Sequence, residues 1–188
     1  YALVGGFGSF VYAQFNYLLP LNMESLYGAK GAEIFGLLTS VNALVVILAT
    51  PLVTTFLGKI RDVKKLLIGQ TLIVLGLYSY RYVQLQMALY FLLMVIFTIG
   101  EVFKTLGEQP YMTRRIPATH WGRVNSFVSI VSGAFSSVGN LFLGRLLDSQ
   151  GYSAAWLAVG LAGIGLIILA YLLSETDKKA FPLLYAEK

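Results

Sequence analysis

Six stretches of this chain run for about twenty residues with almost no charge, and that pattern constrains the fold more than any motif. They cover residues 2–21, 32–57, 65–83, 86–105, 123–147 and 152–173. A helix of about 20 apolar residues matches the hydrocarbon thickness of a bilayer. The connections between the stretches are too short to hold a soluble domain. Hydrophobic residues make up 57% of the chain and charged ones 12%, which leaves too little polar surface to cover a water-bounded core. The sequence therefore predicts an all-α membrane protein with six spans, in a lipid environment.

Lysine and arginine set the orientation. Lys59, Arg61, Lys64 and Lys65, then Arg114, Arg115 and Arg123, then Lys178, Lys179 and Lys188 fall on one side of such a topology, against Lys30, Arg81 and Arg145 on the other. An excess of basic residues marks the cytoplasmic side, so both termini are expected in the cytoplasm of a cell-membrane protein. The formal charge of +5 reads as this topology signal, not as a nucleic-acid surface. The chain begins at Tyr1 inside an apolar run, which reads as part of something longer.

"TFLGKIRDVKK" (55–65) is echoed by "LFLGRLLDSQG" (141–151), with Asp62 and Asp148 86 residues apart. At the same offset Gly36 matches Gly122, Ser40 matches Ser126 and Val45 matches Val131. Three crossings separate the copies, so equivalent positions face opposite sides. The expected plan is two inverted three-helix repeats, residues 1–83 and 84–173, followed by a cytoplasmic tail, 174–188.

"TIGEVFKTLGEQPYMTRRIPATHWGRVNSF" (98–127), "GRLLDSQGYSAAWLAVGLAG" (144–163) and the loop "GKIRDVKK" (58–65) carry a likeness over the whole chain. It resembles the C-terminal six-helix half of a major facilitator superfamily transporter, most like the bacterial multidrug/proton antiporters of the inner membrane. Asp62 is followed by Val63 and two lysines where the N-terminal loop signature has Gly-Arg-Lys, and "SGAFSSVGNLFLG" (132–144) lacks the antiporter Gly-Pro pair; both departures fit the C-terminal half. The resemblance implies secondary active transport by alternating access, not enzymatic catalysis. Its partners would be an N-terminal six-helix half, a small-molecule substrate and protons.

Glu101, Lys104 and Glu108 are the ionisable residues deep in a span, at spacings that share one helical face with Phe97 and Met94. Glu101 stands about 22 Å along the helix from its outer end, where lost hydration favours a neutral carboxyl that can take up and release a proton. Glu101, with Lys104, is thus the expected proton or cation coupling site. A structural ion pair between the two is the competing reading, with Glu108 interfacial. Phe7, Phe10, Gln14 and Tyr17 form an aromatic face with a polar handle, expected with Phe97 to wall a substrate cavity. The opposite face, Tyr12 and Asn16, is the alternative, and Pro20 is expected to close or kink this helix.

Gly58, Lys59, Arg61 and Asp62 are the expected gating loop, where the resemblance implies a latch on one face of the transporter. Arg145 and Asp148 read as topology markers. The serines at 126, 129, 132, 136 and 137 with Asn140, and Asn42 in the second span, read as helix packing. With one histidine, His120, in a polar loop and no cysteine, no metal site or other cofactor is expected. The function predicted is proton-coupled efflux of lipophilic compounds. Uptake of a small polar nutrient, and a non-transporting six-span scaffold, are the other classes open to such a chain.

Overall fold

The computed structural model describes residues 1–83 and 85–186; Lys188, counted above with the basic side, lies outside them. Every major element is a helix: α1 (Ala2–Ala13), α2 (Leu18–Tyr27), α3 (Gly31–Leu57), α4 (Asp62–Ser79), α5 (Met87–Arg115), α6 (Trp121–Ala180) and a short α7 (Leu183–Ala186). Three runs, Ala2–Leu57, Met87–Arg115 and Ala118–Ala180, contain stretches long and apolar enough to cross a membrane.

The first apolar stretch is broken rather than continuous. The amides of Gln14, Phe15 and Asn16 reach back only three residues, to the carbonyls of Val11, Tyr12 and Ala13, and the Leu19 amide reaches back five, to Gln14. Pro20 explains the position of the break: it has no N–H for the Asn16 carbonyl, and its ring displaces that carbonyl. The kink therefore falls one turn before the proline, and Pro20 itself lies inside α2.

Helix α5 runs ten residues past the stretch that hydropathy marks. It continues through Pro110 to Arg115 because Tyr111 and Met112 are buried and the Tyr111 ring stacks on Tyr1, with centroids 5.3 Å apart. Glu101, Lys104 and Glu108 consequently sit within a helix, not at its end. In α6 the backbone leaves helical geometry once, at Gly151, with φ 78° and ψ −178°. Positive φ of this kind is open to glycine and strained for other residues.

Side-chain partners give the packing directions. Before Gly151, α6 runs parallel to α1: Phe7 meets Phe135 and Gln14 meets Asn140. After Gly151 it runs back, with Tyr152 bonded to the Leu21 carbonyl, Trp156 to Asn22 and Arg115 to Asp177. Asp62 thus lies at the end of the molecule that holds Arg114. Asp148 lies at the other end, one turn beyond Gly144, which abuts Tyr17. The two copies of the repeated motif differ locally: α3 ends at Leu57 before the first Asp, whereas the second copy is helical as far as Gly151.

Helices α4 and α5 pack antiparallel along a seam of glycines. Gly69 of α4 meets Gly100 of α5, while Gly76 packs on Phe97 of α5 and Gly107 on Asp62 and Leu66 of α4; the two glycines of each helix are seven residues apart. A Cβ on Gly100 would stand 2.7 Å from the Ile73 amide nitrogen, and one on Gly107 2.7 Å from the Asp62 carbonyl oxygen. Small residues at such positions let membrane helices approach to backbone contact. Helix α3 and the part of α6 before Gly151 instead expose broad apolar faces, including Ile47 at 69% and Leu141 at 72% exposure. In a water-bounded protein such faces would be a liability.

Candidate functional site

The polar groups of α5 meet α1 and α3 at Glu101. Its Oε1 accepts a 2.7 Å hydrogen bond from the Tyr12 hydroxyl, and its Oε2 accepts a 2.9 Å bond from Asn42 Nδ2. Asn42 also donates to Thr98 Oγ1 at 2.9 Å, and that hydroxyl donates to the Met94 carbonyl at 2.7 Å. Phe97 is fully buried behind the cluster and stacks on Tyr12 and Phe15, at 5.7 and 5.1 Å. On its α3 side Glu101 lines a crevice of about 280 Å³ with Val46, Thr50, Val102, Thr105 and Leu106. That volume is at the small end of ligand cavities.

Lys104 does not bond Glu101. Its ammonium lies 3.6 Å from Glu108 Oε2 and 5.2 Å from the centre of the Tyr12 ring. Glu108 Oε1 accepts a 2.6 Å hydrogen bond from the Tyr1 hydroxyl. The structural pair considered between Glu101 and Lys104 is therefore a Lys104–Glu108 pair, because the i, i+4 spacing aligns these chains better than the i, i+3 spacing here.

The expected cavity wall is divided. Phe7 and Phe10 face α6 and line a separate apolar groove of about 480 Å³ with Phe135, Val138 and Phe142. Gln14 is buried beyond them, its Nε2 donating to the Phe10 carbonyl at 2.7 Å and to Asn140 Oδ1 at 2.8 Å, while its Oε1 is buried without a partner among the described residues. Tyr17 rests against Gly144. The hydrogen bonds that Glu101 accepts come from Tyr12 and Asn42, not from these four. The face of α1 that supplies one is the alternative face, through Tyr12, whereas Asn16 is exposed. A helix wound at 100° per residue cannot present both faces to one neighbour, and α6 claims the Phe7–Phe10 face. Asn42 was visible in the sequence as the amide of an otherwise apolar span; its cross-helix target was not.

The loop before α4 belongs to a charged network. Asp62 accepts a 2.8 Å bond from Arg114, and Lys65 Nζ reaches the Gly58 carbonyl at 3.3 Å. Arg61 lies 4.5 Å over the Tyr185 ring and donates to the Tyr185 carbonyl at 3.3 Å. Arg115 grips Asp177 with two 2.6 Å bonds, and the Tyr185 hydroxyl adds a third at 2.6 Å. Burial disfavours the Asp177 charge, but its Arg115 and Tyr185 donors outweigh that and hold its pKa below the usual carboxylate range. Burial and the bond to Asp177 push the Tyr185 hydroxyl up to about 12. Lys59 adjoins this network at the loop, and a cleft of about 270 Å³ opens among Arg61, Asp62, Arg114, Arg115 and Tyr185. Among the described residues no group of three or more His, Cys, Asp or Glu side chains is placed to hold a metal ion.

Long apolar helices packed around a hydrogen-bonded carboxylate are the build of a multi-pass membrane protein. The chain matches the Major Facilitator Superfamily family model over residues 1–184 and belongs to that superfamily, whose members are membrane transporters of small molecules. Comparisons with curated proteins and with solved structures give no match.

Proposed function

We propose that this chain is the C-terminal six-helix half of a secondary active transporter that exports lipophilic compounds in exchange for protons. The observation that carries the reading is Glu101, a carboxylate set in an apolar helix, held by Tyr12 and Asn42 from two other helices and lining a crevice. An ionisable group at that depth is costly, and its presence there points to a function that offsets the cost. Proton uptake removes its charge, and its loss restores it, so the carboxylate favours different surroundings in the two states. Alternating access needs that kind of bias.

The six helical runs alternate between two ends, which supports six crossings arranged as two inverted triplets. The basic end, with Lys59, Arg61, Arg114 and Arg115, is the cytoplasmic one by the charge rule, placing both termini in the cytoplasm. The exposed apolar faces of α3 and of α6 before Gly151 would meet lipid and the N-terminal half. Asp62 with Arg114, and Arg61 with Tyr185, would latch the cytoplasmic end.

The test is transport in proteoliposomes of the intact protein under an imposed pH gradient. Glu101→Gln is expected to abolish proton-driven movement of a lipophilic dye; unchanged movement would overturn the coupling role. Uptake of a polar nutrient is the second reading, favoured by the unpartnered buried acceptor of Gln14. Thermal shifts with lipophilic cations, sugars and amino acids separate the two.

A further inference from the structure

Three charges follow one another along α5, and they do not cancel: Glu101 and Glu108 against Lys104. The cluster carries one uncompensated negative charge when all three are ionised. With the ammonium on Glu108, Glu101 is held by two neutral donors alone, the arrangement that goes with a Glu101 whose own charge a proton or a bound cation has removed. The pair of Lys104 with Glu108, at 3.6 Å, is looser than the pairs Arg114–Asp62, Arg115–Asp177 and Lys178–Glu175, which lie at 2.6 to 2.8 Å. Lys104 also lies over the ring whose hydroxyl is bonded to Glu101. Residues three and four apart on a helix are neighbours, so side-chain rotation alone can carry the ammonium from Glu108 to Glu101. Glu108 would then keep the Tyr1 hydroxyl on its other oxygen.

We propose that Lys104 is a tethered counter-cation for this site, moving onto Glu101 when neither a proton nor a cationic substrate occupies it and returning to Glu108 when one arrives. The inference rests on reading Glu101 as the coupling carboxylate, and it adds two properties. The substrate admitted at Glu101 carries a single positive charge, because one charge neutralises the cluster. Lysine and cargo compete, so the empty site does not leave a bare carboxylate in the membrane.

The experiment is equilibrium binding of tetraphenylphosphonium, and of a neutral lipophilic dye, to the intact protein in nanodiscs. Lys104→Gln is expected to tighten the phosphonium by at least about fivefold, the low end of coupling between two sites, and to leave the neutral dye unchanged; Lys104→Arg should bind like the parent. Glu108→Gln frees the lysine for Glu101 and should weaken the phosphonium. In a Lys104→Gln background the same change should no longer weaken it, because the effect acts through the lysine. Equal loss in both backgrounds, or no tightening in Lys104→Gln, overturns the tether while leaving Glu101 as the site. Undiminished phosphonium binding to Glu101→Gln overturns the site reading and the tether together.

Discussion

The Tyr12 hydroxyl and Glu101 Oε1, 89 residues apart in the sequence, are joined by a 2.7 Å hydrogen bond that ties α1 to α5. Asn42 makes the matching bond from α3 to the other carboxylate oxygen, so three helices converge on one ionisable group. Cross-helix bonds of this kind are worth about 1 kcal/mol in a membrane. Tyr12→Phe keeps the ring beneath Lys104 and removes only the donor. It is expected to lower the initial rate of proton-linked transport several-fold at unchanged protein level, and Asn42→Ala should do the same. The double variant should lose less than the two effects combined, since both act through one carboxylate. Rates in matched proteoliposomes check this; additive losses would count against a shared role.

At the charged end, Arg115 grips a nearly inaccessible carboxylate: the Asp177 side chain is 1% exposed and that of Arg115 10%. Removing the arginine alone leaves a charge without its counter-ion, and breaking a buried pair in that way costs about 3 kcal/mol or more. Arg115→Ala should lower the thermal midpoint in detergent markedly, and Arg115→Ala with Asp177→Asn should recover part of the loss.

The pH dependence of that pair has a definite sign. The folded Asp177 holds its proton less tightly than an ordinary carboxylate, so its contribution is fully present above the unfolded value, about 3.9. It is lost as the pH falls through the depressed folded value. Thermal midpoints measured from neutral pH down to about pH 3 should fall more steeply for the parent than for Asp177→Asn.

The glycine seam makes a packing prediction. A methyl group on Gly100 would press on the Ile73 amide, the Gly69 carbonyl and the Leu72 Cβ, none of which is the free end of a flexible side chain. Gly100→Ala should cost about 1–3 kcal/mol, the usual cost of overpacking, and Gly100→Leu should prevent assembly of the α4–α5 pair. Unfolding monitored by denaturant in mixed micelles measures the first, and recovery of monodisperse protein the second.

Gly151 tests the turn within α6. With φ at 78°, an alanine there is strained and should cost about 1–2 kcal/mol. Gly36, helical and with open space around it, should accept alanine without loss in the same assay.

Hydropathy located the helices because a bilayer demands length and apolar composition, and both can be counted along a sequence. It missed the end of α5, where Tyr1, Tyr111 and Arg115 extend the helix through contacts distant in sequence; the break in the first span was legible from Pro20, and only its position one turn earlier needed the structure. Glu101 was legible because a carboxylate in an apolar run is conspicuous. Its partners were not, since Tyr12 and Asn42 are ordinary residues until three helices are packed. The same limit explains the choice of face on α1: periodicity showed two candidate faces, and only the position of α6 decides between them. The glycine spacing of α4 and α5 was present in the letters, but it acquires meaning when the two helices are known to be partners.

The paired glycines of α4 and α5 also govern how this part of the molecule can move. The two glycines on each helix stand seven residues apart, so the next register in which they could interlock lies about 10 Å away along the axis. Between those registers a sliding helix would drive backbone into backbone, so α4 and α5 are expected to shift together rather than past each other, from the Asp62–Arg114 pair at one end to the stacked rings of Tyr80 and Tyr90 at the other.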